Sequence, residues 1–220
     1  MTAPPAKPPA GVRLALAPTA PARARAALLI DRDGTLVHER NYLHRLSEVR
    51  LQAGAATLVR TANAAGVAVA AVSNQSGIDR GLFGWDAYDA VEAEIDRRLR
   101  ARGARLDACI ANGYHPDHTR GWGARQAHWR KPGPGMLLVI LDRLGVEPRR
   151  AWMVGDMASD VAAARAAGLA GAVHVETGHG RAQREAALTE ESRGFRVLGA
   201  RSIGEAQALL AAEGLFSRRS

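Results

Sequence analysis

Short apolar runs alternate along this chain with longer stretches in which apolar positions recur at helical spacing. The runs at 27–31, 67–73, 106–111, 151–155 and 171–175, with a weaker one at 195–198, read as strands. The periodic stretches at 55–65, 86–102, 134–144, 158–167 and 203–213 read as helices. Terminus chemistry agrees: Pro134 stands near a helix start, and Gly66, Gly103, Gly145 and Gly168 follow helix ends. Strand and helix alternate, which predicts an α/β fold, a doubly wound, mostly parallel sheet with helices on both faces. Ligands of such sheets bind beyond the carboxyl ends of the strands. The Pro- and Ala-rich residues 1–25 read as a disordered tail, 26–216 as one domain, and 217–220 as a short basic tail.

Composition supports that picture. At 220 residues, 47% apolar and only 5% aromatic, the chain suits Ala-rich helices layered on a sheet. A net charge of +8 suggests a polyanion partner until its placement is considered. Lys7, Arg13, Arg23 and Arg25 precede the first strand with no acid among them, and Arg218 and Arg219 close the chain, so the tails hold +6 and the body about +2. That argues against nucleic acid as partner. Cys109 is the sole cysteine, which rules out an internal disulfide. No apolar run has the length of a membrane span and none resembles a secretory leader, so a cytoplasmic protein away from membranes is expected.

The polar residues change the picture more. Asp31 and Asp33 end the first predicted strand, Ser73-Asn74-Gln75-Ser76-Gly77 the second, and Gly155-Asp156 the fourth, with Asp160 one turn into the next helix. Topology can bring all of them to one crevice. A lone Asp-x-Asp is usually a solvated acidic turn. Three acids gathered at strand ends instead make a hard oxygen site of the kind Mg²⁺ prefers, together with a substrate phosphate. The Ser73 hydroxyl and the backbone N–H groups of the following turn are suitable phosphate donors. Lys131 is the only lysine outside the N-terminal stretch in a chain that otherwise uses Arg for positive charge. A compact ammonium fits a crowded phosphoryl site where a planar guanidinium does not. With these groups one carboxylate can attack phosphorus and a second can move the proton.

Asp31-Arg32-Asp33-Gly34-Thr35-Leu36, Ser73-Asn74, Lys131 and Gly155-Asp156 with Asp160 resemble, in order, the four motifs of the haloacid dehalogenase-like (HAD) phosphatases. The resemblance covers roughly residues 26–178. It implies Asp31 as nucleophile, Asp33 as general acid/base, and Ser73 and Lys131 as holders of the transferred phosphoryl group. It also implies Mg²⁺ on Asp31, Asp156 and the Asp33 carbonyl, with Asp160 in support. The gaps between motifs leave no room for a cap domain, which points to the capless, histidinol-phosphatase-like branch. Within that branch, Asn74-Gln75-Ser76-Gly77-Ile78-Asp79-Arg80-Gly81 and Arg130-Lys131-Pro132 resemble the heptose-bisphosphate phosphatases. That likeness implies a small phosphorylated sugar as substrate, most closely D-glycero-D-manno-heptose 1,7-bisphosphate. It places Glu39, Tyr42, Asn74, Gln75, Ser76 and Arg130 on the substrate, in a monomeric enzyme. The alternatives are a histidinol-phosphate phosphatase, a polynucleotide 3′-phosphatase and a non-catalytic protein on the same scaffold.

Two departures stand out. The family's loop zinc would fall on Asn112, Tyr114, Ala127 and Trp129, none of which is a good zinc ligand, so no zinc is expected. His115, His118 and His128 remain in that loop, in a spacing that matches no familiar zinc pattern, and Tyr114, Trp122 and Trp129 are expected to pack it instead. Met157 stands where the family carries a basic residue after the metal-binding aspartate.

Overall fold

The computed structural model of the chain describes residues 8–217. Seven strands form one sheet: β1 (Val12–Leu16), β2 (Ala27–Asp31), β3 (Ala68–Asn74), β4 (Ala108–Asn112), β5 (Ala151–Gly155), β6 (Gly171–Val175) and β7 (Arg196–Ala200). Their order is β1-β4-β3-β2-β5-β6-β7, so β2 and β5 lie at the centre. All neighbours pair in parallel except β1 with β4.

Alternation along β2 assigns its side chains to two cores. Leu28 and Ile30 join the apolar cluster on one face, Ala27 and Leu29 the cluster on the other. The first face is covered by α1 (Ala55–Ala64), α3 (Trp85–Arg100) and α8 (Ile203–Ala212). The second is covered by α5 (Gly135–Arg143), α6 (Ala158–Ala166) and α7 (Gly180–Leu188). Every residue of β2, β5 and β6 is buried, as expected of parallel strands covered on both faces. Two shorter helices, α2 (Ser76–Asp79) and α4 (Ala124–Trp129), sit in the loops after β3 and β4.

The six predicted strands and five predicted helices all form, with ends shifted by a residue or two. The N-terminal stretch differs from expectation. Part of residues 1–25, read as a disordered tail, is strand β1, which runs antiparallel along β4 from Val12 against Asn112 to Leu16 against Ala108. Its isolated, weakly alternating pattern is too short to stand out beside so many prolines. Residues 1–7 and 218–220 lie outside the described residues.

The charge partition changes with it. Arg13 pairs with Asp89, and Arg25 donates to the carbonyls of Ala65 and Leu215, both at 2.7 Å, so neither belongs to a tail. Of the net +8, only Lys7, Arg218 and Arg219 fall outside the described residues, which therefore carry +5. No helix among them is long and apolar enough to cross a membrane.

Candidate active site

The carboxyl ends of β2, β3 and β5 meet over a cavity of about 460 Å³. Asp31, Asp33, Ser73, Lys131, Asp156 and Asp160 all line it, although the chain separates the first from the last by most of the fold. Parity along β2 decides what each residue of the first motif meets. Asp31 continues the row of Ala27 and Leu29 toward the α5 side, and Arg32 continues the row of Leu28 and Ile30 toward α3.

Lys131 is the hub on the first side. Its ammonium lies 2.6 Å from Asp31 Oδ1 and 2.6 Å from Asp160 Oδ1, and donates to the Val72 carbonyl at 2.8 Å. It is 4% exposed. Burial alone would ease its proton off, but the Asp160 and Asp31 carboxylates outweigh burial and hold it protonated. Its backbone is held too. The Lys131 N–H donates to Asn74 Oδ1 at 3.1 Å, and Asn74 Nδ2 donates back to the Lys131 carbonyl at 3.0 Å.

The acids beside it carry more negative charge than one lysine balances. Asp31, Asp156 and Asp160 each offer an oxygen, and these atoms lie within 4.8 Å of one another. Burial, joined by the neighbouring Asp160, pushes Asp156 up to about 7. Burial likewise holds Asp31 well above the usual carboxylate range, against the pull of Lys131. Asp156 Oδ2 accepts the His179 N–H at 2.7 Å, while its buried Oδ1 has no partner among the described residues. Asp160 forms its ion pair with Lys131 through Oδ1 and accepts the Met157 N–H on Oδ2 at 3.0 Å. Asp31 and Asp156 are thus the carboxylates left with an oxygen for a cation. Gly34 lets them crowd together: its φ is +88°, and a Cβ there would lie 2.5 Å from Asp156 Oδ2.

On the other side, Arg32 is 1% exposed. It donates to Asp33 Oδ2 through Nε at 3.0 Å and Nη2 at 2.7 Å, to Gln75 Oε1 at 2.9 Å, and through Nη1 to Glu92 Oε1 at 3.0 Å. The Tyr88 ring covers its guanidinium at 5.4 Å. Gln75 Nε2 donates to the same Asp33 oxygen at 2.7 Å and to Ser73 Oγ at 2.5 Å. The side-chain amides of Asn74 and Gln75 are therefore engaged inside the protein, Asn74 on the lysine loop and Gln75 on the first motif. Both residues also line the cavity. Arg32 and Glu92 were missed by sequence reasoning. A signal existed: the buried stripe of α3 is Tyr88, Val91, Glu92, Ile95 and Leu99, and an acid in such a stripe demands a buried cation.

The remaining residues form a rim. Glu39, Tyr42, Ser76 and Arg130 line the cavity, as does His179, which the sequence did not single out. Burial and Asp33 raise the Glu39 carboxyl above its ordinary value. Tyr42 has φ +57°, an uncommon conformation for a bulky residue, and Arg80 lies over its ring at 5.9 Å. Arg130 donates to the Tyr114 carbonyl at 3.1 Å, and burial together with the nearby Arg80 lowers its affinity for its proton.

The loop that delivers Arg130 and Lys131 is held from several directions. Asn112 exchanges 3.3 Å hydrogen bonds with the Tyr114 backbone. The Gly11 N–H donates to the Tyr114 hydroxyl at 3.1 Å, and the ring occupies the space a Cβ at Gly11 would need. His115 and Thr119 bond to Asp79. Trp129 is 2% exposed and joins the α5-side core, whereas Trp122, expected to pack with it, stays half-buried outside both cores.

Paired acids at the end of a central parallel strand, with a buried lysine and a second acid pair beside them, form the site of a phosphohydrolase. Comparison with known proteins gives the same class. A HAD-hydrolase-like family model matches residues 128–206. D-glycero-β-D-manno-heptose-1,7-bisphosphate 7-phosphatase of Rhodopseudomonas palustris is 37% identical over 153 residues, 70% of this chain and 85% of that one. The enzyme of that name from Mesorhizobium japonicum is 39% identical over 153 residues, 66% of each chain. Among solved structures, a HAD-like phosphatase from Mesorhizobium loti matches over 100% of both chains with TM-score 0.80 and 32% identity. The D,D-heptose 1,7-bisphosphate phosphatase of B. bronchiseptica, complexed with magnesium and phosphate, matches over 86% of this chain and 99% of that one, with TM-score 0.72 and 28% identity. The chain belongs to the HAD-like phosphatase family.

Proposed function

We propose that this phosphatase removes the 7-phosphate of D-glycero-D-manno-heptose 1,7-bisphosphate and works through an aspartyl-phosphate on Asp31. The observation that carries the chemistry is Lys131, buried between Asp31 and Asp160 beside an Asp156 oxygen with no partner among the described residues. The substrate rests on the curated relatives and on the rim residues.

Asp31 attacks phosphorus with one carboxylate oxygen, leaving the other for the cation. Lys131 and Ser73 neutralise and orient the phosphoryl oxygens. Asp33 gives a proton to the departing sugar oxygen and then takes one from the water that hydrolyses the aspartyl-phosphate. Asp31, Asp156 and the Asp33 carbonyl are the residues that would hold Mg²⁺, with Asp160 fixing Lys131 and the Met157 N–H beside them. The ion, when bound, supplies positive charge against the phosphoryl oxygens and the crowded acids. The loop after β4 needs no zinc in this reading, since Tyr114, Asn112, Asp79 and Trp129 hold it together. Assay of phosphate release from the heptose bisphosphate, against histidinol phosphate and a 3′-phosphorylated oligonucleotide, with and without Mg²⁺, tests the assignment. Preference for either competitor would overturn it.

A second test addresses the distal phosphate. Arg130 lines the cavity, Arg80 lies near it over the ring of Tyr42, and among the described residues neither pairs with a carboxylate, so an anion is a partner that they could share. A hydrogen bond to a charged group contributes about 1.5–3 kcal/mol. Arg130→Ala is therefore expected to lower kcat/KM for the bisphosphate by roughly 10- to 100-fold and to leave a small aryl phosphate nearly unaffected. Equal losses on both would assign Arg130 to the reacting phosphate or to the fold.

The raised carboxyls give a third. Asp156, pushed up to about 7, binds its proton more tightly folded than unfolded. Its contribution to stability is full below the ordinary carboxylate range and is lost as pH rises through about 7. A divalent cation replaces the missing positive charge. Mg²⁺ should thus raise Tm more at pH 8 than at pH 5, measured against EDTA-treated protein. An equal rise at both pH values would remove Asp156 from the metal site.

A further inference from the structure

We infer that Arg32, braced from behind by Glu92, is a positioning residue for the proton-transferring carboxyl of Asp33. This rests on the proposed role of Asp33. The geometry is specific. Arg32 grips Asp33 Oδ2 with two N–H groups and reaches Glu92 with a third, so a buried acid on α3 is linked through one rigid planar group to the cavity. Gln75 closes the arrangement, accepting from Arg32 and donating to Asp33 and Ser73. Tyr88 seals the guanidinium from the side.

A buried cation and a buried acid could be satisfied by each other alone. The reach to Asp33 has a consequence that mere charge neutralisation does not: it removes the rotational freedom of the carboxyl that must meet the leaving oxygen. Glu92 has its own part in this. It holds Nη1 and shares the guanidinium charge, which fixes the plane in which Nε and Nη2 meet Asp33 Oδ2. In the first half-reaction the Asp33 carboxyl donates its proton to the bridging oxygen as the P–O bond to the sugar breaks and the Asp31–P bond forms. In the second it takes a proton from the attacking water. Arg32 keeps its own protons throughout.

This role is separable from a structural one by leaving group. A sugar alkoxide needs the proton, whereas p-nitrophenolate leaves without it. General acid catalysis contributes about 10²- to 10⁴-fold. Glu92→Gln and Arg32→Lys are expected to lower the single-turnover rate of leaving-group release from the heptose bisphosphate by about tenfold or more and to leave the rate of the first-turnover burst of p-nitrophenolate from p-nitrophenyl phosphate within about twofold, while the later hydrolysis of the aspartyl-phosphate slows on both. Asp33→Asn serves as the reference and should show the same split more strongly. Equal losses of the first-turnover rate on both substrates, or none on the bisphosphate, in variants that melt as cooperatively as the parent would overturn the inference. A missing split in Asp33→Asn itself would instead overturn the acid/base role on which it rests. Where Arg32→Lys does not fold, Glu92→Gln, which keeps the shape and loses only the charge, decides the matter.

Discussion

Asp31→Asn is expected to abolish turnover on every substrate while leaving the fold intact. An amide has no oxygen able to form the acyl-phosphate, and loss of a covalent nucleophile costs on the order of 10⁴-fold or more. The fold should not suffer. Burial already disfavours the charged form of Asp31, and Lys131 retains Asp160 as its counter-ion at 2.6 Å. The variant should therefore melt at or above the temperature of the parent in EDTA. Steady-state assays on the heptose bisphosphate and p-nitrophenyl phosphate, with a melting curve, check both halves. Residual turnover near the parent's would remove Asp31 from the chemistry.

Lys131→Met should fail in both respects. It leaves Asp31 and Asp160 buried near one another with the shared cation gone, and breaking a buried pair costs about 3–5 kcal/mol. The loss should shrink on acidification, because protonated carboxyls no longer repel. Adding Asp160→Asn to Lys131→Met should recover much of the stability and none of the activity. Lys131→Arg should not rescue turnover, since a planar fork cannot take the place of a compact ammonium between two acids and the Val72 carbonyl. Urea unfolding at pH 5 and pH 8, alongside phosphate release, would measure this. Parent-like stability of Lys131→Met at pH 8 would contradict the hub.

The fold was legible in the sequence because buried parallel strands write themselves as continuous apolar runs, as in Ala27–Asp31 and Ala151–Gly155. The chemistry was legible because it stands where those runs stop. What could not be read is what depends on contacts between distant residues. Asn74 reads as a substrate contact, and nothing in the sequence shows that its amide also closes on the Lys131 backbone, 57 positions away. Arg32 sits between two conspicuous aspartates, and its neighbours hid it; its partner Glu92 is 60 positions on, in a helix otherwise read for its apolar stripe. Helix α7 escaped because its sequence, Gly-Arg-Ala-Gln-Arg-Glu-Ala-Ala-Leu, has no clear apolar repeat, although the residue capping its start, His179, donates its N–H to Asp156.

Strand β1 bears on how this protein can be handled. Anyone trimming the chain at Ala26, where the strong sheet pattern begins, would strip the antiparallel partner from β4 and leave Ala108–Asn112 as a bare, apolar, parallel-sheet rim. Such a rim is an invitation to pair with another copy. The same cut would take away the Gly11 amide that holds the Tyr114 hydroxyl, two residues past the end of β4 and at the base of the loop that carries Arg130 and Lys131. A shortened form would be expected to precipitate and to lose activity together, from a single deletion more than a hundred residues before the lysine.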